Sequence, residues 1–375
     1  MPRPFKVFCS PERYVQGRGV TNDLGVHLNS VGLQGPLLIV AANSARRLLT
    51  DTWKTALGST NFEYYVHPFG GECTEEEIDA IVDLSLRHGC HTIIGSGGGK
   101  VIDAARAAAS KANVKVVSAP TVASTDAPCS ALSVVYKPDG TFSNYLFYKR
   151  HPDLVLVDTE VIASAPRRTL VGGLGDALAT WFEARTVRET CSSCTQLGGL
   201  PTVTGTALAK LCYDILIADG PAACLSVDCQ ACTPALERVV EANTLLSGLG
   251  FENGGLAIAH SLHNGLTRIP ACHEHTHGEK VAFGLAAQLI IEGRPQEEIQ
   301  TVMRYCDTVG LPITLDELGV DVNDEDALRW VAEGTIAPGE SSHNEPFEVT
   351  VEMVRDGMVT AHYNGVRYRE RKEGV

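Results

Sequence analysis

The segment Ile93-Ile94-Gly95-Ser96-Gly97-Gly98-Gly99-Lys100, followed by Val101-Ile102-Asp103-Ala104-Ala105, constrains this chain more than any other. A short apolar run enters a glycine-rich bend and an alanine-rich helical stretch leaves it, so strand, loop and helix N-terminus follow in immediate succession. Glycines let the backbone approach a bound group closely, unpaired helix N–H groups carry partial positive charge, and Lys100 adds a full one. The residues alone leave two readings open: an anion site for phosphate or nucleotide, or a glycine turn that tightens a strand-to-helix corner. The spacing is not the Gly-x-Gly-x-x-Gly fingerprint, because the third glycine comes one position early. Nor is it a Walker loop, because Val101 stands where Ser or Thr would follow Gly-Lys.

Around this motif, β-branched runs at Leu37–Ala41, Phe62–Val66, His91–Ile94, Val114–Ser118 and Leu154–Asp158 alternate with helical stretches at Ala45–Leu57, Glu75–His88 and Lys100–Lys111. That alternation predicts a parallel sheet with crossover helices. Thr74 is expected to cap the second helix, with Glu77 completing a capping box. Ser130–Tyr148, punctuated by Pro138-Asp139-Gly140, reads as an inserted hairpin. From Pro166 onward β-branched runs almost vanish, and windows such as Arg167–Thr186, Thr204–Ala218, Pro234–Leu249, Gly255–Leu266 and Glu279–Ile291 carry helical spacing. With 375 residues there is room for about two domains. The expected division is an α/β domain over residues 1–160 and an all-α domain over 161–375.

Lys plus Arg number 31 against 45 Asp plus Glu, a net charge of −14 that repels nucleic-acid backbones and anionic lipid. The N-terminus lacks the apolar stretch of a signal peptide and no 18-residue uncharged apolar run follows, which places the protein in the cytoplasm. The 12 cysteines then read as reduced thiols. Cys191 with Cys194 and Cys229 with Cys232 have Cys-x-x-Cys spacing, but the gap between the pairs exceeds that of common zinc ribbons.

Two further groups of residues carry chemistry. Asp176, His260 and His277, one carboxylate and two imidazoles, suit an open metal site with a position left for water or substrate. Five of the 12 histidines (His260, His263, His273, His275 and His277) crowd into one short stretch, and their spacing does not say which would be ligands or whether they form a surface patch. Ala119-Pro120-Thr121-Val122-Ala123-Ser124-Thr125-Asp126-Ala127-Pro128-Cys129-Ser130 is rich in hydroxyls, bears the single carboxylate Asp126, and follows a predicted parallel strand, where open α/β sheets bind ligands. It suits a polyol, or is an ordinary polar turn.

Together with His67-Pro68-Phe69-Gly70-Gly71-Glu72-Cys73, Gly175-Asp176-Ala177-Leu178-Ala179-Thr180-Trp181-Phe182-Glu183-Ala184-Arg185, Thr233-Pro234-Ala235-Leu236-Glu237 and His277-Gly278-Glu279-Lys280-Val281-Ala282-Phe283-Gly284, these segments resemble the glycerol dehydrogenases, a zinc-dependent branch of the iron-containing alcohol dehydrogenase superfamily. The resemblance runs from about Ser10 to Asn344. It implies the dehydroquinate synthase-like fold: an N-terminal dinucleotide-binding α/β domain, a C-terminal helical domain, and an active site in the cleft between them. It further implies that Asp176, His260 and His277 bind the metal, and that Asp126 contacts a substrate hydroxyl. By the same resemblance Gly98, Gly99 and Lys100 hold the cofactor diphosphate, Thr121, Ser124, Ser130, Leu132 and Tyr136 line the dinucleotide cleft, and Phe251 walls the substrate pocket. The implied partners are a small polyol and further copies of the chain, up to an octamer.

Departures from the family pattern shape the rest. Iron-dependent relatives carry a histidine four residues after the aspartate; Thr180 stands there, so the implied metal is Zn²⁺. The resemblance implies NAD as the cofactor, and Ala42, in place of the aspartate that usually meets the adenosine ribose, leaves NADP open. The implied reaction is reversible oxidation of glycerol or a related 1,2-diol, with His263 as either a proton-relay residue or a packed helix histidine. Rival readings are a lyase of the dehydroquinate synthase type, a dehydrogenase of the same superfamily acting on another small hydroxy compound, and a non-catalytic nucleotide sensor.

Overall fold

The computed structural model describes residues 5–190 and 195–374. It divides into two compact units that interleave along the chain: Cys9–Arg167 with Leu225–Gly248, and the described residues of Met1–Phe8, Arg168–Cys224 and Leu249–Val375. Cys191 and Cys194 lie outside the described residues. Cys229 is exposed and Cys232 partly so, both as free thiols.

The first unit is built on a six-stranded parallel sheet. Its strands are β1 (Tyr14–Gly17), β2 (Leu37–Ala41), β3 (Tyr64–Pro68), β4 (Thr92–Gly97), β5 (Lys115–Pro120) and β8 (Leu154–Asp158), in the spatial order β1-β8-β5-β4-β2-β3. A separate antiparallel hairpin pairs β6 (Leu132–Tyr136) with β7 (Phe142–Phe147). Every residue of β2 and β8 is buried, as a parallel sheet covered on both faces requires. Alternate side chains go to opposite sides: Leu38, Val40 and Ile93 join Ile78 and Val101, while Ile39, Ile94, Val117 and Leu156 join Leu24 and Trp53. The chain leaves β2 toward β3 and leaves β4 toward β5, so the strand order reverses between β2 and β4. Ala41, Gly97 and Pro120 end their strands at that carboxyl edge, the place where open α/β sheets hold ligands.

Several expectations need correction. The strand expected at Phe62–Val66 lies two residues later, because a turn with Asn61 at φ 58° uses Phe62, whose N–H is bonded to Leu57 O. Pro68 is tolerated because β3 is an edge strand. Strand β1, too short and polar to register as a run, goes unpredicted. The capping box at Thr74 is incomplete. Thr74 Oγ1 accepts from Glu77 N at 3.2 Å, but the Glu77 carboxylate pairs with His67 Nε2 and Gly70 N, each at 3.0 Å. The hairpin forms as expected, with Gly140 at φ 83° in its turn.

Beneath the hairpin lies Arg106, 2% exposed, on the helix Gly99–Ala112. Its guanidinium donates to the carbonyls of Leu132 and Ala127, and lies 3.3 Å from Asp103 and 3.5 Å from Ser130 Oγ. Asp103 in turn accepts from Val134 N at 3.2 Å. Burial pushes its carboxyl up to about 6 even against the attraction of Arg106.

The second unit is helical. Its main helices are Arg167–Thr190, Val203–Asp228 (whose last turn falls in the first unit), Ile258–Leu266, His277–Ile291, Gln296–Val309, Glu325–Thr335 and Val351–Glu373. Ile258, Leu262, Phe283, Leu328, Val331, Val354 and Met358 form one core. The helix Arg167–Thr190 is buried almost all round, which marks it as central. No helix among the described residues is long and apolar enough to cross a membrane.

Replacing Arg106 by Met strands Asp103 as a buried carboxylate without its counter-charge. The expected cost is about 3–5 kcal/mol, read as a shift of the urea unfolding midpoint. A shift below about 1 kcal/mol would show that the clamp is incidental.

Candidate active site

Three helices of the helical unit deliver Asp176, His260 and His277 to one point. Two of them meet backbone to backbone: a Cβ on Gly278 would fall 1.7 Å from Gly172 O, and one on Gly175 would fall 2.3 Å from Gly278 O. That contact sets Asp176 and His277 side by side. His277 opens its helix behind a capping box, in which Thr276 Oγ1 accepts from Glu279 N at 3.3 Å and the Glu279 carboxylate accepts from Thr276 N at 2.6 Å. The third helix, Ile258–Leu266, comes just as close, since a Cβ on Gly284 would fall 2.5 Å from Ala259 O.

One ligand atom from each of Asp176, His260 and His277 lies within 4.8 Å of the others. Asp176, 1% exposed, places Oδ1 at 3.2 Å from His260 Nε2 and 3.1 Å from His277 Nε2. Burial raises the Asp176 pKa, but the two imidazoles outweigh it and hold the carboxyl well below its usual range. His260 is the reverse case. Burial opposes its charge, and the carboxylates of Glu183 and Asp176 overcome that and raise its pKa.

The other ring nitrogens are also engaged. His260 Nδ1 lies 2.6 Å from Glu183 Oε2, and His277 Nδ1 lies 3.0 Å from His263 Nε2. His263 Nδ1 meets Asn264 Oδ1 at 3.0 Å, and burial, with His277 next, pushes the His263 pKa well down, so that it stays neutral. His273 and His275 turn elsewhere, the first to Thr267 O at 2.8 Å and the second toward Glu279 at 3.7 Å. Thr180, one turn beyond Asp176, is fully buried, and a Cβ on Gly250 would fall 2.5 Å from its methyl. Phe251 is 5% exposed. An open set of one carboxylate and two imidazoles, with both remaining ring nitrogens hydrogen-bonded, fits Zn²⁺ by donor chemistry.

In the α/β unit the glycine loop closes the carboxyl end of β4. Gly98 caps the helix Gly99–Ala112, whose N-terminal end has no side-chain cap. The loop's neighbours are those the sequence singled out: a Cβ on Gly97 would meet Ala42 at 3.2 Å, one on Gly98 Val122 at 3.5 Å, and one on Gly99 Thr125 Oγ1 at 3.2 Å. Lys100 Nζ pairs with Glu72 Oε2 at 2.5 Å and lies 5.3 Å from the Tyr136 ring centroid. Thr121 is buried, and Ser124, Leu132 and Tyr136 are half-buried. Ser130 is 1% exposed, with its hydroxyl directed to Ala127 O at 3.3 Å. Asp126 Oδ2 accepts from Ser247 Oγ at 3.0 Å, and Asn243 donates to Ala123 O at 3.1 Å. Asn243 sits in the π-helical turn Ala242–Leu246, and Ser247 directly follows it.

Sequence reasoning missed Glu183, although it stands seven residues after Asp176 and so on the same helix face. Glu345, 7% exposed, is a further buried carboxyl on the helical unit. Burial, with Glu292 and Glu183 next, pushes its pKa up to about 9, and Ile258 N–H and Arg294 give little relief.

Known proteins resemble the chain over nearly its whole length. Residues 11–159 match the family model for iron-containing alcohol dehydrogenase. A glycerol dehydrogenase of Pseudomonas putida is 46% identical over 96% of this chain and 98% of its own. A glycolaldehyde reductase of Halobacterium salinarum is 44% identical over 97% and 99%. The crystal structure of glycerol dehydrogenase from Schizosaccharomyces pombe superposes with a TM-score of 0.94 at 36% identity, covering 100% of this chain and 94% of that one. The chain belongs to the iron-containing alcohol dehydrogenase family. It is an alcohol oxidoreductase.

Glu345 gives the stability of the chain a pH signature. Its folded pKa lies above the ordinary 4.5, so the native chain loses stability as pH rises from about 4.5 toward 9 while the unfolded chain ionises freely. Glu345→Gln removes that loss. Its advantage in urea unfolding should widen from pH 6 to pH 9 by on the order of a few kcal/mol. A gap that stays constant with pH would show that the carboxyl titrates normally.

Proposed function

We propose that the chain oxidises glycerol reversibly to dihydroxyacetone, passing a hydride to NAD, with Zn²⁺ held by Asp176, His260 and His277. The observation that carries this reading is the convergence of those three donors from three helices, with ligand atoms within 4.8 Å of one another. Bound there, Zn²⁺ supplies a Lewis acid that lowers the pKa of a substrate hydroxyl. Asp126 hydrogen-bonds a second hydroxyl of the diol, while Ser247 fixes the carboxylate from the other side. Phe251 contributes apolar surface to the pocket. Gly98, Gly99 and Lys100 receive the diphosphate at an uncapped helix N-terminus, and Thr121, Ser124, Ser130, Leu132 and Tyr136 belong to the same cofactor region. His263 keeps His277 in one tautomer, a packed and neutral partner instead of a proton carrier. Zn²⁺ is preferred to iron because Thr180 offers no imidazole and its methyl packs against the Gly250 backbone. Assembly into a homo-oligomer and a cytoplasmic location complete the proposal.

One observation favours a second reading: the full-length relative named as a glycolaldehyde reductase, as similar as the glycerol dehydrogenases. Glycerol and glycolaldehyde share a vicinal oxygen pair, so the same metal and Asp126 serve either. The relatives named above are a dehydrogenase and a reductase, which favours either of these readings over a lyase or a nucleotide sensor.

Glycerol-dependent NADH formation, set beside glycolaldehyde-dependent NADH consumption, decides between the two. His277→Ala should abolish turnover while the chain stays folded. Asp126→Ala should lower kcat/KM for glycerol by ~10- to 100-fold and for a simple mono-alcohol by less. Full activity in His277→Ala, or in metal-free protein, would sink the metal reading; equal losses on both alcohols would make Asp126 structural.

Cofactor choice rests on Ala42, which ends β2 and caps the helix Asn43–Gly58. No carboxylate stands there to accept the ribose 2′-hydroxyl or repel a 2′-phosphate, and Arg46 Nη1 is engaged with Asn43 Oδ1 at 3.3 Å. NAD is therefore preferred only weakly over NADP, and Ala42→Asp should widen the ratio of their kcat/KM values by ~10-fold. A strong NAD preference in the unaltered chain would mean that another residue selects the cofactor.

A further inference from the structure

Glu183 is fully buried and faces three hydrogen-bond donors. Oε2 lies 2.6 Å from His260 Nδ1, while Oε1 accepts from Ala257 N at 2.8 Å and from His260 N at 3.1 Å. The two backbone donors belong to the start of the helix Ile258–Leu266, whose N-cap, Ala257, has no side chain able to cap it. A carboxylate on a neighbouring helix thus meets the exposed N–H groups and partial positive charge of that end. The same carboxylate takes the Nδ1 proton of His260. With Zn²⁺ bound, that hydrogen bond would leave the Nε2 lone pair for the metal, and Nε2 is the atom 3.2 Å from Asp176 Oδ1.

His277 is backed differently. Its Nδ1 meets the imidazole of His263, which passes to Asn264 and from there to Glu340 at 3.0 Å. One imidazole is therefore held by a buried anion at short range, the other by a neutral ring at 3.0 Å. An anionic acceptor both orients an imidazole more firmly and makes it a stronger donor.

We propose that Glu183 is a positioning residue that aims His260 at the metal and raises its donor strength, making His260 the dominant imidazole of the site. The proposal rests on the reading of Asp176, His260 and His277 as Zn²⁺ ligands. Glu183 touches neither substrate nor cofactor; it acts through His260. One carboxylate thus caps the helix through Oε1 and holds the ring through Oε2.

The test is Zn²⁺ affinity of the full chain, measured by competition with a chromophoric chelator, alongside the visible spectrum of the Co²⁺-loaded protein. Glu183→Gln keeps the shape and one acceptor oxygen but removes the charge. It should weaken Zn²⁺ binding about 10- to 100-fold and alter the Co²⁺ bands, with circular dichroism of the metal-free protein unchanged. If that variant does not fold, Glu183→Asp, which withdraws the oxygens by one methylene, should show at least a tenfold loss. Native Kd and native Co²⁺ bands in whichever variant folds would overturn the proposal and leave Glu183 a helix cap alone. Failure of the underlying reading looks different: the unaltered chain would bind no stoichiometric Zn²⁺, or Asp176→Ala would bind it as tightly.

Discussion

The helical unit depends on the absence of side chains at one helix crossing. Gly175 and Gly278 let two helices meet through their backbones, and Gly284 repeats the device against Ala259 on a third helix. Each glycine in a helix interior costs roughly 1 kcal/mol relative to alanine, so a sequence that spends several of them at one crossing obtains proximity in return. That proximity brings short side chains from separate helices within reach of one point. Asp176 adjoins Gly175 and His277 adjoins Gly278, so the carboxylate and imidazole inherit their separation from the backbone contact and not from long flexible arms. A site fixed in this way tolerates little drift, because the interior around it is close-packed.

The α/β unit uses a different constraint. Parallel strands end together at one edge, and the reversal of strand order between β2 and β4 opens a crevice there. Ala42 and the glycine loop flank that crevice, each following its strand directly. The loop's other wall, residues 121–132, has little regular structure of its own. Arg106 holds it from below and Asn243 and Ser247 hold it from the side, so an irregular segment is fixed by buried hydrogen bonds instead of by a ladder.

Much of this was legible in the sequence, and what was legible follows from burial. Strands β2, β4, β5 and β8 lie inside a sheet covered on both faces, and they read as β-branched runs for that reason. β1 escaped because Gln16 and Gly17 dilute its pattern, and β3 slipped in register because an edge strand is only half constrained. The capping box at Thr74 had the right residues, but Glu77 is spent on His67 and Gly70, a tertiary competition that no local motif records. Five clustered histidines advertised a metal site without naming its ligands; the family resemblance chose His260 and His277, and the geometry brings those two to Asp176. Partners that act through a ligand, such as Glu183, stay silent in composition because their role exists only once two helices are packed. Nothing in periodicity discloses that residues 225–248 return to the α/β unit.

That return bears on how the chain is made. Tyr14 pairs with Val155, so the sheet needs contacts between residues 141 positions apart (155 − 14) before its first strand is in place. Tyr14 also bonds Thr244 at 2.8 Å, and Gln16 bonds Glu237, so the α/β unit is incomplete until residue 248 has left the ribosome. By then Arg168–Cys224, which belongs to the other unit, has already been synthesised and waits without most of its partners. At ~5–20 residues per second, a nascent chain spends several seconds in that state. An ordinary two-domain protein folds its N-terminal half while the rest is being translated. This one leaves the buried side chains of Arg167–Thr190 without most of their packing in the interval.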